Sequence, residues 1–174
     1  MLEQIIRPAV PADYPTILSI YAWAREEMVR RGNPTQWGTN RPKEHLIRQD
    51  LKDGNLYVIC RDGEICGVFA MIPGIDVTYL SIDGQWHSNE PYAAIHRVAG
   101  RGGGIVDAWV EFCRKRMSYL RVDTHKDNYP MRRALTRAGF SYCGNIIVDN
   151  GTPRMAYDLV CQSGLPAQTA DFQN

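Results

Sequence analysis

The chain has 174 residues, 44% of them apolar and 22% charged, with a formal net charge of +1. That length and composition predict one globular domain with a sizeable core, over residues 1–161, followed by a loose polar tail at 162–174. A charge so near neutrality gives no bulk attraction to nucleic acid or to a membrane surface, and no apolar run approaches the ~20 residues of a spanning helix.

The opening MLEQIIRPAVPADY lacks the basic start and apolar stretch of a secretory signal. Five cysteines, Cys60, Cys66, Cys113, Cys143 and Cys161, are scattered through apolar runs with no C-x-x-C pair. Buried, reduced thiols in a cytoplasmic protein are expected, with neither a disulfide framework nor a metal site.

Glu3–Arg7 is predicted as a short strand, stopped by Pro8 and Pro11. Asp13 stands as an N-cap with Pro15 in the first turn, and Tyr14, Ile17, Leu18, Tyr21, Ala24 and Met28 then recur at helical spacing. Gly32-Asn33-Pro34 stops that helix. A shorter helix follows at Lys43–Lys52, with Leu46, Ile47 and Leu51 facing inward. Leu56–Arg61 and Ile65–Ile72 read as a hairpin turned by Asp62-Gly63. An extended piece over Asp76–Ile82 turns at Asp83-Gly84.

A strand over Tyr92–Ala99 then runs into Gly100-Arg101-Gly102-Gly103-Gly104, and a helix over Gly104–Met117 follows at once, with Ile105, Trp109, Phe112, Cys113 and Arg116 on one face. Tyr119–Asp123 is a strand, Asn128 caps a helix running to Ala138 and closed by Gly139, and Ser141–Val148 with Arg154–Val160 form a last hairpin through Asp149-Asn150-Gly151. The order β-α-α-β-β-β-β-α-β-α-β-β describes an α+β domain with a mixed, mostly antiparallel sheet and helices on its faces.

The glycine loop carries the chemistry. The first turn of a helix has N–H groups without partners and a partial positive charge. Glycines let a backbone approach an anion, and Arg101 adds a guanidinium that forks onto phosphate oxygens. The spacing is not the dinucleotide fingerprint, because Ile105 falls where its third glycine belongs, and a P-loop would need Gly-Lys-Ser/Thr. A lone Gly-Arg tract at this net charge does not indicate RNA binding.

Three segments together resemble the GNAT superfamily of acetyl-CoA-dependent N-acetyltransferases, from Ile5 to Leu159. IRPAVPADYPTILSIY is similar to the family's first strand and helix. Arg101-Gly-Gly-Gly104-Ile-Val106 is similar to its pyrophosphate loop, although Val106 stands where Gly or Ala is preferred. VDTHKDNYPMRRALTRAGF is similar to its later strand, asparagine and helix ending in Gly-Phe. The resemblance implies a twisted, mostly antiparallel sheet of six to seven strands with helices on both faces. It also implies transfer of an acetyl group from acetyl-CoA to a primary amine of a small molecule or peptide, by direct attack in a ternary complex. Val98, Ala99 and Gly100 would run beside the pantetheine arm. Arg101, Gly102, Gly103, Gly104, Ile105 and Val106 would hold the pyrophosphate, and Asn128 would meet the cofactor near its thiol. The strands Tyr92–Ala99 and Tyr119–Asp123 would splay to admit the acetyl group. Many members carry a tyrosine as general acid where this chain has Leu135. A non-catalytic acyl-CoA-binding module is the alternative that this replacement favours.

His96, on the strand beside the thioester, is the candidate base; otherwise it is a packed strand histidine. Alternation places it on the face of Val98, with Arg97 opposite. Asp123 and His125 form a second polar cluster or a structural pair. Trp37, Tyr79, Trp86 and Tyr92 are either the walls of an acceptor site or core packing. Glu26, Glu27 and Glu90 could draw in a cationic acceptor or are surface charge. Exposed sheet edges leave room for a homodimer.

Overall fold

The computed structural model describes residues 3–161, so the expected tail at 162–174 lies outside it. In chain order the elements are β1 (Gln4–Pro8), α1 (Tyr14–Arg30), α2 (Glu44–Lys52), β2 (Leu56–Arg61), β3 (Glu64–Pro73), β4 (Asp83–Gly84), β5 (Ala93–Gly100), α3 (Ile105–Arg114), β6 (Tyr119–Thr124), α4 (Tyr129–Arg137), β7 (Ser141–Ile147) and β8 (Pro153–Val160). They build one eight-stranded sheet in the order β1-β2-β3-β5-β6-β8-β7-β4. Every neighbouring pair is antiparallel except β5 and β6. Among the described residues no helix is long and apolar enough to cross a membrane.

Each face of the sheet is sealed by two helices. Ile17, Ile20, Tyr21 and Ala24 of α1 and Ile47 of α2 pack on Val58, Val68 and Ala70. On the other face Ile105, Trp109 and Cys113 of α3 and Leu135 of α4 pack on Ile59, Phe69, Ile95 and Val122. The five cysteines are free thiols, four of them buried and Cys66 partly so.

Several local readings change in the structure. The eighth strand is Asp83–Gly84, which does not turn the chain but pairs with Asn145 and Gly144 of β7. Two glycines meet there because nothing larger fits: a Cβ on Gly84 would stand 2.1 Å from the Cys143 carbonyl oxygen. The stretch before it is not extended; Val77–Tyr79 is a short 3-10 turn, begun when the Asp76 carboxylate accepts the Thr78 N–H at 2.9 Å. Asp13 precedes α1 without capping it. Its carboxylate accepts the Val10 N–H at 2.9 Å and pairs with Arg7 at 2.7 Å. On α2 it is Asp50, not Leu46, that faces inward with Ile47, because Asp50 is the partner of Arg97.

That ion pair belongs to a bulge in β5. Ala99 lies opposite Val68 while His96 lies opposite Ala70, so β5 carries one extra residue between them. Arg97 takes it up at a left-handed φ of 54°, with its Nε donating to Asp50 and its carbonyl accepting the Tyr21 hydroxyl at 2.8 Å. The bulge also resets the alternation. His96 and Ala99 share a face through their partners Ala70 and Val68, whereas Val98 packs against the opposite core. The expectation that His96 and Val98 share a face is therefore corrected.

Tyr21→Phe removes the hydroxyl that holds the Arg97 carbonyl. It is expected to lower unfolding stability by about 1–2 kcal/mol, read as a reduced urea midpoint at an unchanged slope.

Candidate functional site

The site begins where the sheet comes apart. β5 and β6 pair only at Ala93–Leu120, Ala94–Arg121 and Ile95–Val122. Beyond those residues β5 follows β3 and β6 follows β8. A cavity of about 370 Å³ fills the gap, lined by Ile95, His96 and Val98 on one side and by Val122, Asp123 and Thr124 on the other.

Parting the strands leaves backbone groups of β5 unpaired. The Arg101 N–H donates to the Cys66 carbonyl of β3 at 2.8 Å. Alternation then turns Ala99 toward β3 and aims the N–H and C=O of Val98 and Gly100 at the open edge. A hollow of about 160 Å³ lies along that edge, between the end of α1 and the start of α4, and is lined by Trp23, Glu27, Val98, Ala99, Gly100 and Asn128. Met28, Val98 and Asn128 line both spaces, so the two meet there.

Asn128 is held as expected for a cap: its side-chain oxygen accepts the Met131 N–H at 3.3 Å. Its amide donates to Gln36 Oε1 at 3.0 Å, and Asn33 donates to the same oxygen at 2.8 Å. Asn33 lines the hollow, is 3% exposed, and its Oδ1 has no hydrogen-bond partner among the described residues. Sequence reasoning read Asn33 only as part of a helix stop and missed Gln36, because their role depends on α1 and α4 meeting.

The glycine loop sits at the outer end of the open edge. No side chain caps the first turn of α3, which starts from Gly104 at a φ of 73°. The Arg101 N–H is spent on β3, so the N–H groups left to face an anion come from Gly102 onward. The Arg101 guanidinium reaches back to Ser19 Oγ at 3.1 Å. A second cation, Arg61 of β2, lies beside the loop: its Nη1 and Nη2 stand 3.6 and 3.4 Å from where Cβ atoms on Gly102 and Gly104 would be. Ile105 is buried and Val106 packs partly on the core, so they offer the loop backbone groups only.

On the cavity side, His96 Nε2 contacts Asp76 Oδ2 at 2.6 Å and Nδ1 is 4.0 Å from Asp123 Oδ2. A carboxylate accepts, so in the neutral ring Nε2 bears the hydrogen and Nδ1 is the basic nitrogen. Burial works to raise the Asp76 carboxyl, but His96 and the Thr78 N–H outweigh it and hold it at about 2. Tyr79 donates its hydroxyl to Asp123 at 2.7 Å, and burial together with that carboxylate pushes the phenol well above its usual value. The nearby hydroxyl of Thr124 is buried without a partner among the described residues.

Of the four aromatics considered for the acceptor site, Trp37 lines the cavity. Tyr79, Trp86 and Tyr92 pack instead into a small core with Tyr119 and Ile146, because a large indole and two phenols fill the corner that β4 closes. His125 and Asp123 do not form a cluster. His125 Nδ1 accepts the Asp127 N–H at 3.1 Å, while Asp123 is turned to Tyr79 and His96. Glu27 is bound by Arg30 at 2.6 Å and by Arg31 at 3.0 Å, which hold its carboxyl down at about 2.

A separate group, His87, Cys143 and Asp158, brings its polar atoms within 4.8 Å of one another. Buried Asp158 accepts from the His87 N–H at 2.8 Å and from the Tyr119 hydroxyl at 2.7 Å. Burial, with Asp158 beside it, pushes the Cys143 thiol up to about 12, so this cysteine is no thiolate nucleophile at neutral pH.

No family model matches the sequence, and no curated protein does. Solved structures do match. The fold is that of the GNAT-family acetyltransferases. A GNAT-family acetyltransferase from Streptococcus agalactiae superposes with a TM-score of 0.83 and 29% identity over 92% of this chain and 96% of its own. A ribosomal-protein-alanine N-acetyltransferase from Brucella melitensis gives 0.60 and 22% over 90% and 99%. The Salmonella typhimurium protein yncA, solved with its cofactor acetyl-CoA, gives 0.57 and 17% over 95% and 98%. The resemblance read from the three sequence segments thus holds across the described chain.

The depressed Asp76 carboxyl has a consequence for acid stability. A carboxyl held below its ordinary value of 3.8 stabilises the fold above that pH and loses the contribution as pH falls through about 2. Asp76→Asn is expected to be less stable than the parent at pH 7, with the difference shrinking by about 2 kcal/mol as pH falls through that window, measured by urea unfolding across the acid range.

Proposed function

We propose that this protein is an N-acetyltransferase that moves the acetyl group of acetyl-CoA to a primary amine of a small molecule or peptide. The observation that carries the reading is the parting of β5 and β6 after Ile95 and Val122, with a narrow hollow and a wider cavity meeting at Val98 and Asn128. One side takes the thioester and the other the amine, so both reach the gap without exchanging places.

The residues fit such a co-substrate. The arm of CoA has amide N–H and C=O groups, and the open edge at Val98 and Gly100 presents matching backbone groups. The orphaned Asn33 Oδ1 offers a further acceptor. The uncapped first turn of α3, with Arg61 beside it and Arg101 at the start of the loop, would hold the pyrophosphate.

The amine arrives as an ammonium, drawn by Asp123 and Asp76. It gives one proton to His96 Nδ1, and the resulting imidazolium is stabilised by Asp76 on Nε2 and by Asp123 beyond Nδ1. The free amine attacks the thioester carbon. The Val98 N–H at the open edge polarises the carbonyl oxygen, and the C–S bond breaks to release the thiolate. Leu135 is fully buried and supplies no proton. The attacking nitrogen carries a second proton after bond formation, and that proton is available to the departing sulfur.

Acetyl-CoA and CoA are expected to raise the melting temperature and ATP is not; no shift with acetyl-CoA would sink the reading. Release of free CoA thiol dependent on an amine separates the enzyme from a non-catalytic binding module. Gly103→Glu is the sharper loop variant, since a Cβ there meets nothing within 4 Å and its φ is not positive, unlike Gly104 at a φ of 73°. It is expected to abolish acetyl-CoA stabilisation while leaving the unliganded melting temperature near the parent value. His96→Gln is expected to lower kcat by roughly 100-fold or more while acetyl-CoA binding persists; an unchanged kcat would remove His96 from the mechanism.

A further inference from the structure

The cavity holds a buried cation that the transfer reaction does not use. Arg154 of β8 is 5% exposed and lines the cavity. No carboxylate among the described residues is in ion-pair contact with it, whereas its neighbour Arg41 is paired with Asp149 at 2.9 Å. Burial pulls the Arg154 guanidinium below its ordinary value, with Asp123 opposing as the largest favourable charge. An unpaired buried guanidinium is costly unless a bound anion completes it.

Its hydrogen bonds show which edge is free. Nη1 donates to Thr152 Oγ1 at 2.8 Å and to the Pro153 carbonyl at 3.1 Å, and Nη2 donates to the Gln36 carbonyl at 3.1 Å. A guanidinium has five N–H groups. Left over are Nε–H and one hydrogen of Nη2, and Nε and Nη2 are the two nitrogens that meet a carboxylate side-on. The three bonds already made fix the plane of the group, so little ordering is left for a ligand to supply.

The placement relative to the reacting end is also set. Asp123 lies opposite Ala156, and Arg154 is two residues along β8 on the same face. The two backbones are thus one diagonal cross-strand step apart, roughly 7–8 Å, and both side chains line the same cavity. One end of the cavity is acidic and the other is cationic.

We propose that the acceptor amine carries its own carboxylate, as an amino acid or short peptide does, with Arg154 binding that carboxylate side-on while the amino group lies toward Asp123 and His96. This rests on the acetyl-transfer reading and narrows its acceptor. Arg154 is the specificity-determining residue, and decarboxylated amines such as polyamines are discriminated against because they leave the fork unpaired and add a second positive charge beside it.

The test compares matched amines by acetyl-CoA-dependent thiol release: 4-aminobutyrate, its amide, butylamine, putrescine and 3-aminopropylphosphonate, together with L-alanine and L-alaninamide. The carboxylate-bearing member of each pair is expected to have the higher kcat/KM by about 10- to 150-fold. Arg154→Gln is expected to reduce that ratio to within about threefold, and Arg154→Lys to restore part of it, with acetyl-CoA stabilisation confirming that each variant is folded. Equal or better turnover of the amide, the diamine or the phosphonate by the parent protein overturns the proposal. So does an unchanged ratio in Arg154→Gln. If acetyl-CoA fails to stabilise the parent protein, it is the acetyl-transfer reading that has failed. If acetyl-CoA binds but none of these amines reacts, the CoA-saturated protein is titrated with N-acetyl-4-aminobutyrate and with its amide. Preferential stabilisation by the carboxylate supports Arg154 as the anion site, and equal or absent stabilisation rejects it.

Discussion

A sheet that divides in its middle must find partners for the backbone groups it exposes, and that constraint organises the molecule. After Ile95 and Val122 the two central strands no longer bond each other. An unpaired N–H or C=O away from water costs about as much as a lost hydrogen bond. The protein meets part of the deficit internally: the extra residue at Arg97 turns its carbonyl to the Tyr21 hydroxyl and its side chain to Asp50. The groups at Val98 and Gly100 face the open edge, where the proposed co-substrate would pair with them. The bulge therefore both opens the edge and sets which residues face it.

The same division separates charges. The glycine loop, Arg61 and Arg101 gather positive potential at the outer end of β5, while Asp76 and Asp123 hold negative potential at the gap. Under the proposed function, an anionic co-substrate and an ammonium would be drawn to different mouths of one passage. His96 stands where the two fields meet. Its contact with Asp76 fixes the ring and leaves Nδ1 toward the gap, so the 3-10 turn at Val77–Tyr79, which positions Asp76, belongs to the site although it lies outside both central strands.

Much of this was legible where the signal is local. Asp62-Gly63 makes a hairpin turn because both residues adopt positive φ, at 50° and 82°. Asn128 announces α4 because its side chain reaches only a few residues along the chain. The order of elements and the glycine loop followed from periodicity and punctuation in the same way. What was hidden depends on contacts between distant segments. The bulge at Arg97 follows from Asp50 and Tyr21, which lie 47 and 76 residues away along the chain. The strand at Asp83–Gly84 exists because Gly144 leaves room for it. The free edge of Arg154 is visible only when its bond to Gln36, 118 residues distant, is known. Aromatics were the least legible, since Trp37 at a cavity wall and Tyr79 in a core are the same kind of residue in sequence.

The glycines of the loop are not equivalent, and their differences say what the loop is for. Gly100 is demanded by packing, since a Cβ there would stand 2.7 Å from the Ile105 side chain that anchors α3. Gly104 is demanded by conformation, at a φ of 73° where the chain enters the helix. Gly103 meets neither demand: its φ is not positive, and nothing lies within 4 Å of its missing side chain. Within the protein by itself, a larger residue would serve there. Space kept clear beside an uncapped helix terminus, with Arg61 close to Gly102 and Gly104, is what the proposed pyrophosphate site would need. Packing and backbone geometry account for its neighbours, so Gly103 is the loop glycine at which the proposed binding of a pyrophosphate is most directly tested.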